Sequence, residues 1–201
     1  EARVPTIATS VPRRAFTWVT KKLMGNIKIP IIASNRINTA DIAELVLAEG
    51  CADMVSMARP FLADPNFMAK VYENSPKTIV PCIACNQACL DHTFSMKLTS
   101  CLVNPSACSE KEFSLNLISN RNKKIAVVGS GPAGLSAAIT AQNRGFEVSL
   151  FEIARSIGGQ LNLASKIPGK EEFVELLSYY DNELKRLEIK QYLGYDVSID
   201  E

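Results

Sequence analysis

The segment Lys-Ile-Ala-Val-Val-Gly-Ser-Gly-Pro-Ala-Gly, residues 124–134, decides the fold of the second half of this 201-residue chain. Its first five residues form an apolar, β-branched run that predicts a strand, and Pro132 suits the first turn of a following helix. Between them, Gly129, Gly131 and Gly134 fit the pattern G-x-G-x-x-G, which turns the chain sharply and lets the backbone approach a pyrophosphate. The segment therefore predicts a Rossmann-like domain that holds a nucleotide cofactor at a helix N-terminus.

The residues that follow continue this pattern. Residues 132–144 predict a helix that ends at Gly145, and residues 147–151 predict a second strand. Glu152 follows that strand, where its carboxylate can accept hydrogen bonds from ribose hydroxyls and would repel a 2′-phosphate. The pair Gly158–Gly159 offers another close approach of backbone to a long cofactor. The coincidence of strand, loop, helix and acid argues against a glycine turn that serves packing alone, but the residues leave FAD and NAD as alternatives.

Four cysteines upstream of the glycine loop form a second motif. Cys82, Cys85, Cys89 and Cys101 have the spacing C-x2-C-x3-C-x11-C, so three thiols lie within eight residues and one is distant. Four thiolates can hold either structural zinc or an iron–sulfur cluster, but zinc sites commonly use two C-x2-C pairs. The spacing therefore favours a cubane [4Fe-4S] cluster, with zinc and unliganded buried cysteines as the alternatives.

The stretch from residue 81 to about residue 122 has weak periodicity and predicts an irregular connector folded around a ligand. It also contains Cys108 and His92, the one histidine of the chain. Cys108 and Cys51 do not fit the spacing and are predicted to be small core residues or free thiols. His92 could be a ligand in principle, but four cysteines already suffice.

The first sixty residues predict part of a parallel sheet. Residues 27–33 predict a buried strand, residues 40–48 a helix with Thr39 as its N-cap, and residues 54–57 a second strand. Strand, helix and strand with short connections form a βαβ unit. Two strands leave faces and edges uncovered, so this unit cannot be a complete domain by itself. Farther along, residues 171–187 predict an amphipathic helix.

If these two strands are the last of a (β/α)8 barrel, the loops after them carry Arg36 and Arg59. The loops after strands seven and eight of such barrels frequently build a phosphate site, and a guanidinium offers paired donors to phosphate oxygens. We therefore predict an FMN phosphate site at these loops, with solvated surface arginines as the alternative. Because a barrel would need about 200 further residues and the chain begins with Glu1, we expect an internal piece of a larger protein.

Composition excludes several classes of partner. The net charge is only +1 and there is no polybasic block, so nothing favours binding to nucleic acid. The apolar runs are shorter than the roughly 18 to 20 residues of a membrane span, and no signal segment is evident. Six cysteines without a secretory signal suggest a reducing compartment, so we expect a cytoplasmic protein.

Four stretches of the chain resemble a known family. They are residues 34–37 (SNRI), 52–65 (ADMVSMARPFLADP), 82–91 (CIACNQACLD) and 101–105 (CLVNP). They resemble the multidomain branch of the old yellow enzyme group, which includes the enoate reductases, trimethylamine dehydrogenase and, as the nearest likeness, the bacterial NADPH-dependent 2,4-dienoyl-CoA reductases. The likeness covers essentially the whole chain, and the cysteine segment is its most specific part.

The resemblance implies an α/β chain in three parts. Residues 1–78 would be the C-terminal end of an FMN-binding TIM barrel, residues 79–122 an irregular [4Fe-4S] connector, and residues 123–201 an incomplete Rossmann-like FAD-binding domain. The implied cluster ligands are Cys82, Cys85, Cys89 and Cys101. The implied FMN phosphate contacts are Arg36, Ala58 and Arg59, and the implied FAD contacts are Gly131, Ala133, Glu152, Gln160, Lys170 and Val197.

The resemblance also implies an electron relay. NADPH would reduce FAD, and the cluster would pass the electrons singly to FMN. FMN would then deliver hydride to an unsaturated acyl-CoA, a reaction of fatty-acid metabolism. The family's catalytic tyrosine and histidine are expected before Glu1 and most of the NADPH site after Glu201, so no catalytic residue is predicted in this chain. The alternatives are another enoate or enone reductase of the same architecture, or a non-catalytic electron-transfer module.

Overall fold

A computed structural model of the chain describes residues 8–113 and 123–198. Three predicted parts lie outside the described residues: the opening residues 1–7, residues 114–122 at the end of the connector, and residues 199–201 at the end of the FAD-binding segment. The chain divides into two compact units, residues 1–112 and residues 113–201, and each is described by itself.

The first unit contains a small parallel sheet and several short helices. Strand β1 (Ile32–Ala33) pairs in parallel with β2 (Met54–Val55), and Ile32 lies opposite Met54. The helices are α1 (Thr17–Leu23), α2 (Ala40–Ala48), α3 (Arg59–Ala63), α4 (Phe67–Tyr72), a 3₁₀ turn (Pro76–Thr78) and α5 (Leu90–Phe94). Helix α5, inside the cysteine segment, has no counterpart in the prediction of an irregular connector.

Helix α2 connects the two strands, as the sequence predicts. Thr39 has an extended backbone, and its hydroxyl accepts a hydrogen bond from the N–H of Ile42 at 3.4 Å, which satisfies one of the free amides of the first turn. The sheet and helix pack around a cluster of buried residues: Ile31, Ala33, Ile37, Val46, Cys51 and Ala52. The predicted βαβ unit and the predicted burial of Cys51 are confirmed.

The first strand is shorter than the sequence predicts. The apolar run 27–33 predicts a buried strand, but only its last two residues pair with β2, and Ile29 is 70% exposed. Pro30 has no N–H to donate to a ladder, and the N–H of Ile31 donates instead to Asp53 Oδ2 at 2.8 Å. The second strand likewise ends two residues earlier than predicted. Apolar, β-branched composition therefore overestimates the length of both strands.

The second unit contains a three-stranded parallel sheet in the order β3–β4–β5. The strands are β3 (Lys124–Val128), β4 (Glu147–Glu152) and β5 (Lys190–Leu193), and the helices are α6 (Pro132–Asn143), α7 (Leu161–Ala164) and α8 (Phe173–Arg186). This arrangement confirms the predicted order of strand, glycine loop, helix and strand. Because the sheet is parallel, the loops after its strands meet at one edge, where ligands of such folds bind.

Helix α8 has the apolar face that its sequence predicts. Leu176, Tyr180 and Leu184 are buried at steps of four, and burial of such side chains stabilises the helix, which contacts α6 and α7. Glu183 is also buried, and it accepts two hydrogen bonds of 2.8 Å from Arg186. With 14 residues, α8 is the longest described helix, and none of the described helices is long and apolar enough to cross a membrane.

Candidate functional site

The four cysteines of the motif line one pocket in the first unit. They are Cys82, Cys85, Cys89 and Cys101, and all four are free thiols. The segment between the last two folds back on itself, since the N–H of Ser100 donates to the carbonyl of Ala88 at 2.8 Å. The tertiary structure therefore brings the distant cysteine to the three that are close in sequence. Cys108 is exposed, as expected for a free thiol.

Burial raises the pKa of three of these thiols. Desolvation raises the pKa of Cys82 from 9.0 to about 11, although the N–H of Ala84 and the charge of Arg59 lower it. Desolvation also raises the pKa of Cys85 and of Cys101, and backbone N–H groups directed at their sulfurs oppose this rise. Repulsion among the four sulfurs adds to the rise in each case. Buried thiols of this kind become thiolates only when a cation compensates the charge.

The sulfurs that line the pocket are not arranged around a single metal ion. Among residues 8–113 and 123–198, no three His, Cys, Asp or Glu side chains lie close enough to hold a single metal ion. The donor set nevertheless fits an iron–sulfur group in its chemistry, because thiolates are the ligands of such groups and N–H groups directed at sulfur tune them. The four ligands of a cluster bind different iron atoms, so they need not meet at one point.

Arg36, on the loop after β1, is buried. It is 2% exposed, and its Nε donates to the carbonyl of Val11 at 2.7 Å. Asn35 and Arg36 both have left-handed backbone conformations, with φ of 75° and 52°, so the chain reverses sharply at this point. A guanidinium favours an anionic partner where it is buried, because burial of a charge is costly unless the charge is paired. The FMN phosphate contact of Arg36 stays a prediction.

Arg59, the first residue of α3, contacts the cysteine segment. Its Nη1 donates to Asn86 Oδ1 at 2.8 Å, and its side chain lines the cysteine pocket. Ala58 precedes it as the N-cap of α3, and the carbonyl of Ala58 accepts a hydrogen bond from Leu62 at 3.2 Å. The sequence assigns Arg59 to the FMN phosphate alone. The structure adds a contact with the cysteine segment that no local pattern indicates.

The glycine loop of the second unit leaves open space at two of its three glycines, Gly129 and Gly131. Gly129 has a φ of 96°, and its N–H donates to the carbonyl of Phe151 at 2.8 Å. A Cβ atom on Gly134 would overlap the carbonyl oxygen of Gly129, so the third glycine is required for close packing. A Cβ atom on Gly131 would meet nothing within 4 Å. That open space over Gly131 is where a pyrophosphate can approach the backbone.

Glu152 holds the glycine loop in place. Its Oε2 accepts hydrogen bonds from the N–H of Ser130 at 2.6 Å and from the Ser130 hydroxyl at 2.7 Å, while Oε1 accepts from the N–H of Ala154 at 2.9 Å. The Ala154 bond, then the two Ser130 bonds, hold the pKa of Glu152 below its usual value. Ser130, which is fully buried, was missed by sequence reasoning because it occupies a variable position of the motif.

Acidification should release this contact. Because the pKa of Glu152 is lowered on folding, its contribution to stability is present above the unfolded value of about 4.5 and is lost as the pH falls through the folded value. We expect the amides of the glycine loop to exchange hydrogen faster in Glu152→Gln than in wild type at neutral pH. The difference should vanish as the pH falls well below 4.5. Exchange mass spectrometry at matched pH measures it, and a difference that persists in acid would contradict the role of this carboxylate.

The second glycine pair and the remaining predicted FAD contacts differ in their exposure and in their contacts. The N–H of Gly158 donates to the carbonyl of Ser130 at 2.8 Å, so the second glycine pair packs against the first loop. Gln160 is the exposed N-cap of α7. Lys170 is exposed, with its ammonium over the ring of Phe173. Ala133 is exposed in the first turn of α6, and Val197 is half-buried beyond β5. Their contacts with FAD stay predictions.

Two family models match the chain. Residues 1–78 match the model described as the NADH:flavin oxidoreductase / NADH oxidase family. Residues 127–175 match the model described as an NAD(P)-binding Rossmann-like domain. The second match contains the glycine loop and Glu152, so it supports a nucleotide cofactor at the edge of the three-stranded sheet.

Known proteins resemble the chain over nearly its whole length. A metal reductase from Desulforamulus reducens is 44% identical over 94% of this chain and 28% of the relative. A bilirubin reductase from Mediterraneibacter gnavus is 36% identical over 95% of this chain and 30% of the relative. A solved complex of 2-naphthoyl-CoA reductase with 2-naphthoyl-CoA is 34% identical, with a TM-score of 0.93 over 98% of this chain and 30% of that chain. The chain therefore spans less than a third of the length of these proteins.

Proposed function

Since this chain belongs through its residues 1–78 to the old-yellow-enzyme-like NADH:flavin oxidoreductase family, we propose that it is part of an iron–sulfur flavoenzyme that reduces a carbon–carbon double bond with NAD(P)H. The observation that carries this proposal is the pocket lined by four free cysteines, with Arg59 of the family segment on its wall. A flavin family segment and a thiol set suited to an electron carrier are thus joined in one compact unit.

The proposal assigns a cofactor to each part of the chain. The cysteine pocket would hold a [4Fe-4S] cluster, the loops after β1 and β2 the phosphate of FMN, and the glycine loop FAD. When bound, flavins supply hydride and single-electron chemistry, and a cluster carries one electron at a time. This chain's own residues bind and orient these groups: Arg36 and Arg59 neutralise phosphate charge, and Glu152 holds the loop that faces the pyrophosphate. The NADPH site is expected largely outside the chain.

For the substrate we propose an acyl-CoA with a double bond conjugated to the thioester carbonyl, specifically a 2,4-dienoyl-CoA. The resemblance of the cysteine segment and of residues 52–65 supports this choice. A 34% identical structure that is named for an aromatic acyl-CoA supports the thioester. The tyrosine and histidine that would donate the proton are expected outside this chain, and so the fragment alone is expected to be inactive.

A second candidate is an electron-transfer module whose acceptor is another molecule. The 44% identical relative named as a metal reductase favours this candidate, because the name does not imply a carbon–carbon double bond. Another enoate or enone reductase of the same architecture would share every residue discussed so far. These candidates differ in their acceptor rather than in their cofactors.

Metal and substrate analysis of the whole protein, purified without oxygen, tests the proposal. We expect about four irons with a matching amount of acid-labile sulfide, because four cysteines suit one cubane cluster. We also expect both FMN and FAD, and consumption of NADPH that depends on added 2,4-dienoyl-CoA. Zinc without sulfide would reject the cluster. Iron and both flavins without turnover of any enoyl-CoA, but with reduction of a soluble ferric salt, would favour the second candidate.

A further inference from the structure

We propose that Asn38 and Arg59 couple the FMN phosphate site to the cysteine pocket, so that FMN and the cluster each strengthen the binding of the other. The inference rests on the proposed function, because it requires that the whole protein binds both groups. It is carried by side-chain hydrogen bonds, all inside the first unit, that join the loops after β1 and β2 to the cysteine segment.

The first link starts from the loop after β1. Asn38 lies two residues beyond Arg36 and is 6% exposed. Its Nδ2 donates a buried hydrogen bond of 3.0 Å to the carbonyl oxygen of Cys82, the first cysteine of the motif. Because the bond is buried, water cannot readily replace the amide as donor. The position of Cys82 is therefore tied to the loop that carries Arg36.

The second link starts from the loop after β2. Arg59 donates from Nη1 to Asn86 Oδ1 at 2.8 Å, and Asn86 lies between Cys85 and Cys89. Asn86 has a left-handed backbone with a φ of 65°, so this bond fixes the side chain of a residue at a sharp turn. The turn that separates two of the four thiols is thereby tied to the start of α3.

Two further bonds hold the ends of the cysteine segment to the same helix. Asp64, just after α3, is 2% exposed and accepts from the N–H of Val80 at 2.9 Å, two residues before the first cysteine. Asn104 Nδ2, three residues after the last cysteine, donates to the carbonyl of Leu62 at 3.0 Å. Both ends of the segment and its central turn are thus fixed to elements that follow β1 and β2.

These links imply cooperative binding. A phosphate held by Arg36 and Arg59 would order the two loops, and through Asn38 and Asn86 it would order the turn around the thiols. A cluster that binds an already ordered turn loses less conformational freedom, so it binds more tightly. The coupling must be reciprocal, so the cluster should tighten FMN by the same factor, which for coupled sites is typically about 5- to 150-fold.

The test measures FMN affinity of the whole protein with its cluster present and after the iron has been removed by a chelator. Quenching of FMN fluorescence gives the dissociation constant in each state. We expect FMN to bind at least about fivefold more tightly when the cluster is present. In Asn38→Ala this ratio should fall towards one. The matched control is Asn26→Ala, which removes an exposed amide that donates to the carbonyl of Lys22 at 2.8 Å, and it should keep the wild-type ratio.

The ratio of the FMN dissociation constants without and with the cluster separates coupling from a merely structural effect. A variant that only loosens the fold weakens FMN equally in both states and leaves the ratio unchanged, and this result for Asn38→Ala would overturn the inference. If that variant does not fold, Asn86→Gly breaks the second link while accepting the φ of 65°, and the same fall is expected. A wild-type ratio of one, with iron, sulfide and FMN all bound, would overturn the coupling alone. Absence of iron or of FMN from the purified protein would overturn the proposed function as well.

Discussion

Replacement of Cys89 by serine should remove the iron and sulfide of the whole protein and stop reduction of FMN by NADPH, while reduction of FAD by NADPH continues. Cys89 lines the same pocket as Cys82, Cys85 and Cys101, so its thiol faces the space that the cluster would occupy. A hydroxyl is a far poorer ligand than a thiolate for the iron of such clusters. Cys89 is only half-buried, so serine should cost little stability. Iron and sulfide assays, with stopped-flow spectra of the two flavins, measure the outcome.

Cys108→Ser is the matched control for this experiment. The substitution of cysteine by serine is the same and lies in the same unit, but Cys108 is exposed and is not part of the pocket lining. We expect this variant to keep its iron, its sulfide and wild-type FMN reduction. Unimpaired FMN reduction in Cys89→Ser would contradict an iron–sulfur group as the link between the flavins. Loss of iron in both variants would mean that the effect is not specific to the pocket.

Replacement of Gly131 by valine should release FAD from a protein that remains folded. The backbone of Gly131 has φ of −68° and ψ of 175°, a conformation that any residue adopts, and a Cβ atom there meets nothing within 4 Å. The loss of glycine at the helix N-cap should cost on the order of 1 kcal/mol. In the proposed complex the valine side chain would occupy the space of the pyrophosphate. Flavin extraction with chromatography should find FMN at the wild-type level and almost no FAD.

Replacement of Gly134 by alanine should instead destabilise the same loop. Its Cβ atom would overlap the carbonyl oxygen of Gly129, a backbone atom that can move only if the loop shifts. We expect a loss of about 1–3 kcal/mol in stability, as for other overpacked positions, and a lower thermal midpoint. Gly131→Val should lower the thermal midpoint of the flavin-free protein less than Gly134→Ala does, because its Cβ atom meets no backbone atom. Full FAD content in Gly131→Val would mean that the pyrophosphate does not lie over this loop.

Elements whose signals are local were predictable from the sequence. The strand, glycine loop and helix of residues 124–143 follow from periodicity and from three glycines within six residues, and the predicted bounds agree with the structure to within one residue. The N-cap of α2 at Thr39 is equally local, since its partner is only three residues away. The run 27–33 misled because apolar, β-branched residues form a strand only where a neighbouring strand supplies hydrogen bonds, and β2 pairs with two residues of it.

The candidate site likewise has features that the sequence predicts and features that it does not. The amino-acid sequence by itself determined which residue types stand at which spacing, namely four thiols, two arginines after strands and a glycine loop followed by an acid. Only the tertiary structure decided which hydrogen bonds their side chains form. Glu152 accepts from Ser130, 22 residues away in sequence. Arg59 donates to Asn86, 27 residues away, and Asn38 donates to Cys82, 44 residues away. Spacing and periodicity report on neighbours within a few residues of each other, whereas these bonds form only after packing has brought remote segments together.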